Sequence, residues 1–167
     1  MSDLIITPLP AFKDNYMWLL TRGDEAAIVD PGDAEPVIRA LEQQQLRLAA
    51  ILATHHHADH VGGLVALKQR YPATAYGPAH ENVAQLDHRL AAGDKIDVLG
   101  TRFEVIDIPG HTAGHIAFYA AGLKPPAVFC GDTLFACGCG RLFEGTPEQM
   151  LASLDTLNTA EADIKEC

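Results

Sequence analysis

The sequence predicts an α/β fold in one domain, and three observations carry that reading. Short strand-like apolar runs alternate with segments of helical spacing, Gly and Pro punctuate the junctions, and residue types that do chemistry sit just beyond strand-like runs. At 167 residues and 48% hydrophobic, the chain is long and apolar enough for one substantial core. No repeat, low-complexity tract or linker divides it, so residues 1–167 read as a single unit.

Ile5 to Thr7, Tyr16 to Leu20 and Ala26 to Asp30 read as the first three strands, the last closed by a Pro31-Gly32 turn. Asp33 is placed to cap a helix in which Val37, Ile38 and Leu41 recur with helical spacing through Gln45, with Pro36 tolerated in its first turn. Ala49 to Thr54 forms the next strand. A helix opened by Gly62-Gly63 runs through Leu64, Leu67 and Lys68 and stops before Tyr71-Pro72, because the residue preceding proline disfavours helical geometry. Residues 78–95 carry no clear period. Phe103 to Asp107 and Val128 to Cys130 are strand-like again. The last helix has the clearest start: Thr146 as N-cap, Pro147 at the first position and Gln149 at the third form a capping-box pattern. Met150, Leu151, Leu154 and Leu157 are expected to make its core face.

The run Thr54-His55-His56-His57-Ala58-Asp59-His60 is the most informative segment. His55, His57, Asp59 and His60 bring three imidazoles and a carboxylate together, a donor set that suits zinc or iron better than calcium or magnesium. Its internal position, the Asp interruption and the flanking strand and Gly-Gly distinguish it from an affinity tag. In an extended loop residues i and i+2 share a side, so His55 and His57 can grip one ion, Asp59 and His60 can turn to a second, and His56 points away. His111, in Ile108-Pro109-Gly110-His111-Thr112-Ala113-Gly114-His115, completes a three-histidine set. Asp132 follows a strand and is placed to bridge two metals. His80 and His88 lack partners at a recognisable spacing and are expected at the surface.

Twelve Lys and Arg against 22 Asp and Glu give a formal charge of −10, which argues against nucleic acid and anionic membranes as partners. No stretch approaches the ~18 apolar residues of a membrane span. The N-terminal residues lack the basic and apolar regions of a secretory signal, so a cytoplasmic location is expected. The four cysteines fit a reducing compartment. Cys130 reads as a small core residue, and Cys137 and Cys139 have no second thiolate pair with which to build a metal site.

The pattern T-H-x-H-x-D-H-x-G-G, then P-G-H-T-x-G-H, then G-D-T-L-F resembles the metallo-β-lactamase superfamily. Pro10-Ala11-Phe12-Lys13-Asp14-Asn15-Tyr16, Ile28-Val29-Asp30-Pro31-Gly32-Asp33 and Cys139-Gly140-Arg141-Leu142-Phe143-Glu144-Gly145-Thr146 narrow the resemblance to glyoxalase II, the hydroxyacylglutathione hydrolases. The last segment is the most specific. The resemblance implies an αββα sandwich of two mixed sheets flanked by helices, with metals at one edge. It implies two divalent ions, Zn2+ with Fe or Mn as alternatives: His55, His57 and His111 on one, Asp59 and His60 on the other, Asp132 bridging. It further implies hydrolysis of S-lactoylglutathione and related 2-hydroxyacyl thioesters to glutathione and D-lactate, a step of methylglyoxal detoxification. A metal-activated hydroxide would be the nucleophile, with Asp59 and Asp132 as the catalytic carboxylates. Arg141 and Phe143 would hold the substrate, and Asp30, His56 and His115 would orient ligands. The partner is then a small-molecule glutathione thioester, and the chain is expected to act as a monomer.

The family carries a further metal-ligating histidine in a C-x-H-E-Y-T type segment beyond the last helix, and a helical C-terminal domain that contacts glutathione. Ala162-Asp163-Ile164-Lys165-Glu166-Cys167 reads as the strand leading to that segment, so the hydrolase domain is expected to be C-terminally incomplete. Two readings stand beside the thioesterase: a mononuclear-iron persulfide dioxygenase of the same superfamily, and an inactive truncated fragment. His60 and the Gly138 to Thr146 segment favour the thioesterase over a lactonase or β-lactamase.

Overall fold

The computed structural model describes residues 3–160. The expected strand at Ala162 to Cys167 lies outside the described residues. The chain begins with β1 (Ile5–Ala11), β2 (Asn15–Arg22) and β3 (Glu25–Val29), an antiparallel meander. It continues through α1 (Ala34–Gln44), β4 (Arg47–Leu52), α2 (Ala58–Val61), α3 (Leu64–Arg70), β5 (Thr74–Pro78) and β6 (His88–Leu90), with β3 to β6 parallel. A second sheet follows from β7 (Lys95–Val98), β8 (Thr101–Asp107), β9 (Ile116–Ala120) and β10 (Ala127–Phe129). The small hairpin β11 (Leu134–Phe135) and β12 (Gly138–Cys139) leads to α4 (Pro147–Thr159).

The residues sort into four layers. Val37 and Leu41 of α1 and Leu64 and Leu67 of α3 pack on Met17, Leu19, Ile28 and Ile51, the outer face of the six-stranded sheet. Leu20, Val29 and Leu52 on its other face meet Phe103, Val105, Phe118 and Phe129 of the second sheet. Ile108, Ala117, Val128 and Cys130 then meet Leu157 of α4. Both sheets are therefore covered on both faces, and β3 is buried at four consecutive positions, Ala26 to Val29, with no polar alternation. A register shift between Ala26 and Ala27, against Leu48 and Ala50, leaves Ala49 as the extra residue of a bulge. It turns both Leu48 and Ile51 toward the helices, and Ala50 and Leu52 toward the second sheet.

The α/β sandwich agrees with the expectation, with one difference in detail. The first sheet is mixed, whereas the second is antiparallel in all three pairings, because its strands are joined by direct turns and loops rather than by helical crossovers. Asp33 caps α1 by accepting from the Glu35 N–H, and Gln45 ends it in the left-handed region. The Thr146–Gln149 capping box of α4 is formed in both directions.

Two expectations are corrected, and the stretch without a clear period is resolved. The ligand run is extended only through His57, after which α2 puts Asp59 and His60 on a helical turn. Leu151 is 61% exposed, and the buried face of α4 is Met150, Ser153 and Leu157. A hydrophobic residue one position after Met150 is turned about 100° from it, which carries Leu151 off the buried stripe. Between β5 and β7 the chain holds one strand, β6, and otherwise a loop fixed by side chains: Asp87 accepts from the Ala75 N–H and pairs with Lys68, and Arg89 donates to the carbonyls of Glu81 and Val83.

Phe118 is fully buried between the sheets. Phe118→Ala should cost about 3–5 kcal/mol in urea unfolding, the usual penalty for emptying an aromatic site in a close-packed core. A loss under about 1 kcal/mol would mean that the inter-sheet layer is not packed as described.

Candidate metal centre

The site forms where the ends of β3, β4, β8 and β10 meet along one edge of the sandwich. Asp30, just past β3, is buried with φ 50°, a left-handed conformation that Asp tolerates better than most residues. One oxygen accepts from the Thr54 N–H at 2.7 Å; the other accepts from the Thr54 hydroxyl at 2.7 Å and lies 3.0 Å from His60 Nδ1. The Pro31-Gly32 turn then packs directly on α2. A Cβ at Gly32 would run into the Asp59 carbonyl, and one at Gly62 would lie 2.6 Å from the Gly32 oxygen. Backbone thus meets backbone here, and only glycine leaves the room.

Each buried imidazole is oriented by its other nitrogen. Thr54 Oγ1 sits 3.0 Å from His55 Nδ1; since that hydroxyl donates to Asp30, it accepts the His55 proton and leaves Nε2 as a lone pair. The Arg141 carbonyl lies 2.7 Å from His111 Nδ1 and has the same effect, while Asp30 accepts from His60 Nδ1. Among the described residues the buried Nε2 of His55 has no hydrogen-bond partner, and that of His60 faces only the carboxylates of Asp132 and Asp59. His111 Nε2 faces His57 Nδ1 at 2.9 Å, a distance at which two ring nitrogens share either a proton or an ion.

His55, His57 and His111 offer nitrogens within 4.8 Å of one another, and the His60 nitrogen and the carboxylate oxygens of Asp59 and Asp132 form a second group within the same distance. Asp132 spans the two groups: Oδ1 is 3.1 Å from His60 Nε2 and Oδ2 is 3.2 Å from His111 Nε2. Its backbone N–H donates to His115 Nε2 at 3.2 Å, and His115 stacks on His55 with ring centroids 4.4 Å apart. Asp59 Oδ2 accepts from Asn15 Nδ2 at 2.9 Å and lies 3.5 Å from His60 Nε2. Convergent imidazole and carboxylate donors, with a buried His55 nitrogen that no described group satisfies, fit a divalent cation of the zinc, iron or manganese type.

Electrostatics supports that fit. Burial, reinforced by the surrounding imidazoles, drives the pKa of His55 far below its ordinary value. His115 falls to about 3, again through burial and then His111, and burial lowers His57 as well. These rings are neutral at pH 7, the state a ligating histidine needs. Burial alone would neutralise His60 too, but the carboxylates of Asp132 and Asp30 outweigh it and raise His60 to about 10. Asp132 is held below the usual carboxylate range, the pull of His60 overcoming burial.

The cluster opens into a cleft of about 1000 Å³ lined by Tyr16, Trp18, Asp59, Asp132, Arg141 and Phe143, among others. Arg141 lies over the Phe143 ring, and Phe143 turns its edge to His57 and His111. The structure therefore brings together all eight residues expected to ligate or hold substrate. His56 turns away, as expected, toward Glu81 and Glu144. His80 and His88 are exposed. The roles of Asn15 and Glu81 were not legible: each acts across more than 24 residues of sequence, with no local spacing to mark it.

The Metallo-beta-lactamase superfamily profile matches residues 12–165. The chain belongs to this superfamily. A hydroxyacylglutathione hydrolase from Dechloromonas aromatica (strain RCB) is 55% identical over 160 residues, covering 96% of this chain and 59% of that protein. The chain thus spans about three-fifths of the length of that relative. Among solved superfamily folds, ETHE1 from Myxococcus xanthus superposes with a TM-score of 0.78 at 30% identity, covering 90% of this chain and 68% of the other. TTHA1623, solved in a di-iron-bound form, gives 0.75 at 28% identity, covering 92% and 86%.

In chelator-treated protein His60 should remain protonated at about pH 8.5 while His55 and His115 stay neutral at about pH 5.5, as read from imidazole nitrogen NMR shifts. Because the folded pKa of His60 is raised, its contribution to metal-free stability is full below about pH 6.5 and lost as pH rises toward about 10. Metal uptake displaces that proton, so affinity should rise across the same interval. A neutral His60 at pH 7 would contradict the carboxylate cage.

Proposed function

We propose that this domain hydrolyses glutathione thioesters of 2-hydroxy acids, S-lactoylglutathione among them, with two divalent ions held in the cleft. One observation carries the reading: a single carboxylate, Asp132, reaches both histidine groups in a cleft bordered by Arg141 and Phe143. The relative named for this activity is 55% identical to the chain, and a superfamily neighbour holding two irons supports a pair of ions. In this proposal His55, His57 and His111 hold one ion, Asp59 and His60 the other, and Asp132 lies between. Zinc is the ion we favour, with iron or manganese equally compatible with the donors.

When bound, such ions supply Lewis acidity and lower the pKa of water toward neutrality. The protein's own part is positioning. Asn15 fixes the Asp59 carboxylate, and His115 fixes the backbone of Asp132, so both acidic groups face the cleft and can take the proton of an attacking water. Arg141 presents a guanidinium at the mouth of an otherwise acidic protein, where it draws the carboxylates of the glutathione moiety. Phe143, 59% exposed, offers an apolar face to the substrate backbone. The leaving thiol needs little help, because a thiolate is a far weaker base than an alkoxide. No described helix is long and apolar enough to cross a membrane, and exposed Cys137 and Cys139, both thiols, suit the cytoplasm in which we place the protein.

Zinc-loaded protein should hydrolyse S-lactoylglutathione with release of thiol, followed with a thiol reagent, and His111→Ala or a chelator should abolish turnover. Arg141→Ala should raise KM roughly tenfold with kcat little changed, the worth of one charge-assisted contact. Turnover of a β-lactam but of no thioester would overturn the proposal.

A further inference from the structure

We infer that Glu81 is a positioning residue for the metal centre, locking together the two loops that carry the histidine triad. The inference rests on the metal-centre reading above and assigns a role to a residue that lies outside the ligand set. Glu81 belongs to the loop between β5 and β6, and its side chain is 2% exposed. One oxygen accepts from the Thr112 hydroxyl and from the Gly114 N–H at 3.2 Å; the other lies 2.8 Å from His56 Nδ1. Thr112 is the residue after His111, and His56 sits between His55 and His57. A single buried carboxylate therefore joins the neighbours of all three histidines.

The surrounding structure is built to keep it there. A Cβ on Gly114 would lie 2.7 Å from Glu81 Cγ and 2.9 Å from the His80 carbonyl, so the loop approaches closely only because position 114 is glycine. Arg89 donates to the Glu81 and Val83 carbonyls at 2.9 and 3.2 Å, fixing the turn that presents the side chain. Glu144 closes the arrangement from the other side, accepting from the Ala113 N–H at 2.8 Å and lying 3.4 Å from His56 Nε2. A buried carboxylate is costly to desolvate unless fully hydrogen-bonded, and here its bonds go to both ligand loops. Ligand loops tied this way enter metal binding already ordered, so less conformational entropy is lost when an ion binds.

Cobalt(II) binding tests this, read by visible absorption and by competition with a chelator, alongside melting of the chelator-treated chain. Glu81→Gln keeps the shape but removes the charge; it should weaken cobalt affinity about 10–100-fold and alter the cobalt band at saturation. Thr112→Val, a milder change should Glu81→Gln fail to fold, should weaken affinity several-fold, with melting of the metal-free chain within a few degrees of the parent. Parent-like affinity and spectrum in the folded variants would overturn the inference while leaving the metal centre intact. Failure of the parent to bind cobalt, or unchanged binding in His111→Ala, would instead overturn the metal centre and this inference with it.

Discussion

The Asp30 carboxylate is the interaction on which the site depends. It leaves β3 in a left-handed turn and is met by the Thr54 N–H, the Thr54 hydroxyl and His60. That one side chain fixes the end of β3 against the end of β4, orients His60 through Nδ1, and through Thr54 sets the tautomer of His55. The carboxylate is buried, so each of these bonds acts in a medium where electrostatics is strong and an unmet partner is costly. Geometry is transmitted from a parallel strand pair to two imidazole nitrogens with no flexible link between.

Charge is distributed so that the centre holds together before any ion arrives. Four imidazoles, His57, His60, His111 and His115, crowd within ring contact of His55, and neutral rings at His55, His57 and His115 avoid mutual repulsion that charged ones would impose. His60 keeps its proton, because Asp132 and Asp30 flank it. Of these two carboxylates, Asp132 faces His60 Nε2 and is available to a cation that displaces its proton, while Asp30 stays on Nδ1. A protein of net charge −10 can thus present a cationic centre inside an acidic shell once ions are bound.

Rigidity comes from the unusual closeness of backbones. Gly32 lies against the Asp59 carbonyl, Gly131 with φ 49° has no room for a Cβ beside His115, and Gly140 abuts the Asp132 carbonyl. Side chains able to change rotamer are replaced at these points by peptide groups that cannot. Small displacements of the carboxylates would otherwise be easy, since Asp59 is half exposed and lies at a cleft edge. The lock by Glu81 belongs to the same strategy, applied to the other side of the histidine triad.

Sequence determined what depends on local pattern. Strand and helix types, the Asp33 and Thr146 caps, the six ligand-type residues and the glycine-rich turns are all written in residues that act on near neighbours. The resemblance of the motifs added the sandwich. Tertiary structure decided the rest, because it depends on contacts between distant segments: the bulge at Ala49, the one-turn helix under Asp59 and His60, the antiparallel second sheet and the exposure of Leu151. Asn15 and Glu81 became visible only when folding brought them to partners 44 and 25–33 residues away. A polar residue in an irregular loop carries no period, so its role is fixed by what the fold sets beside it.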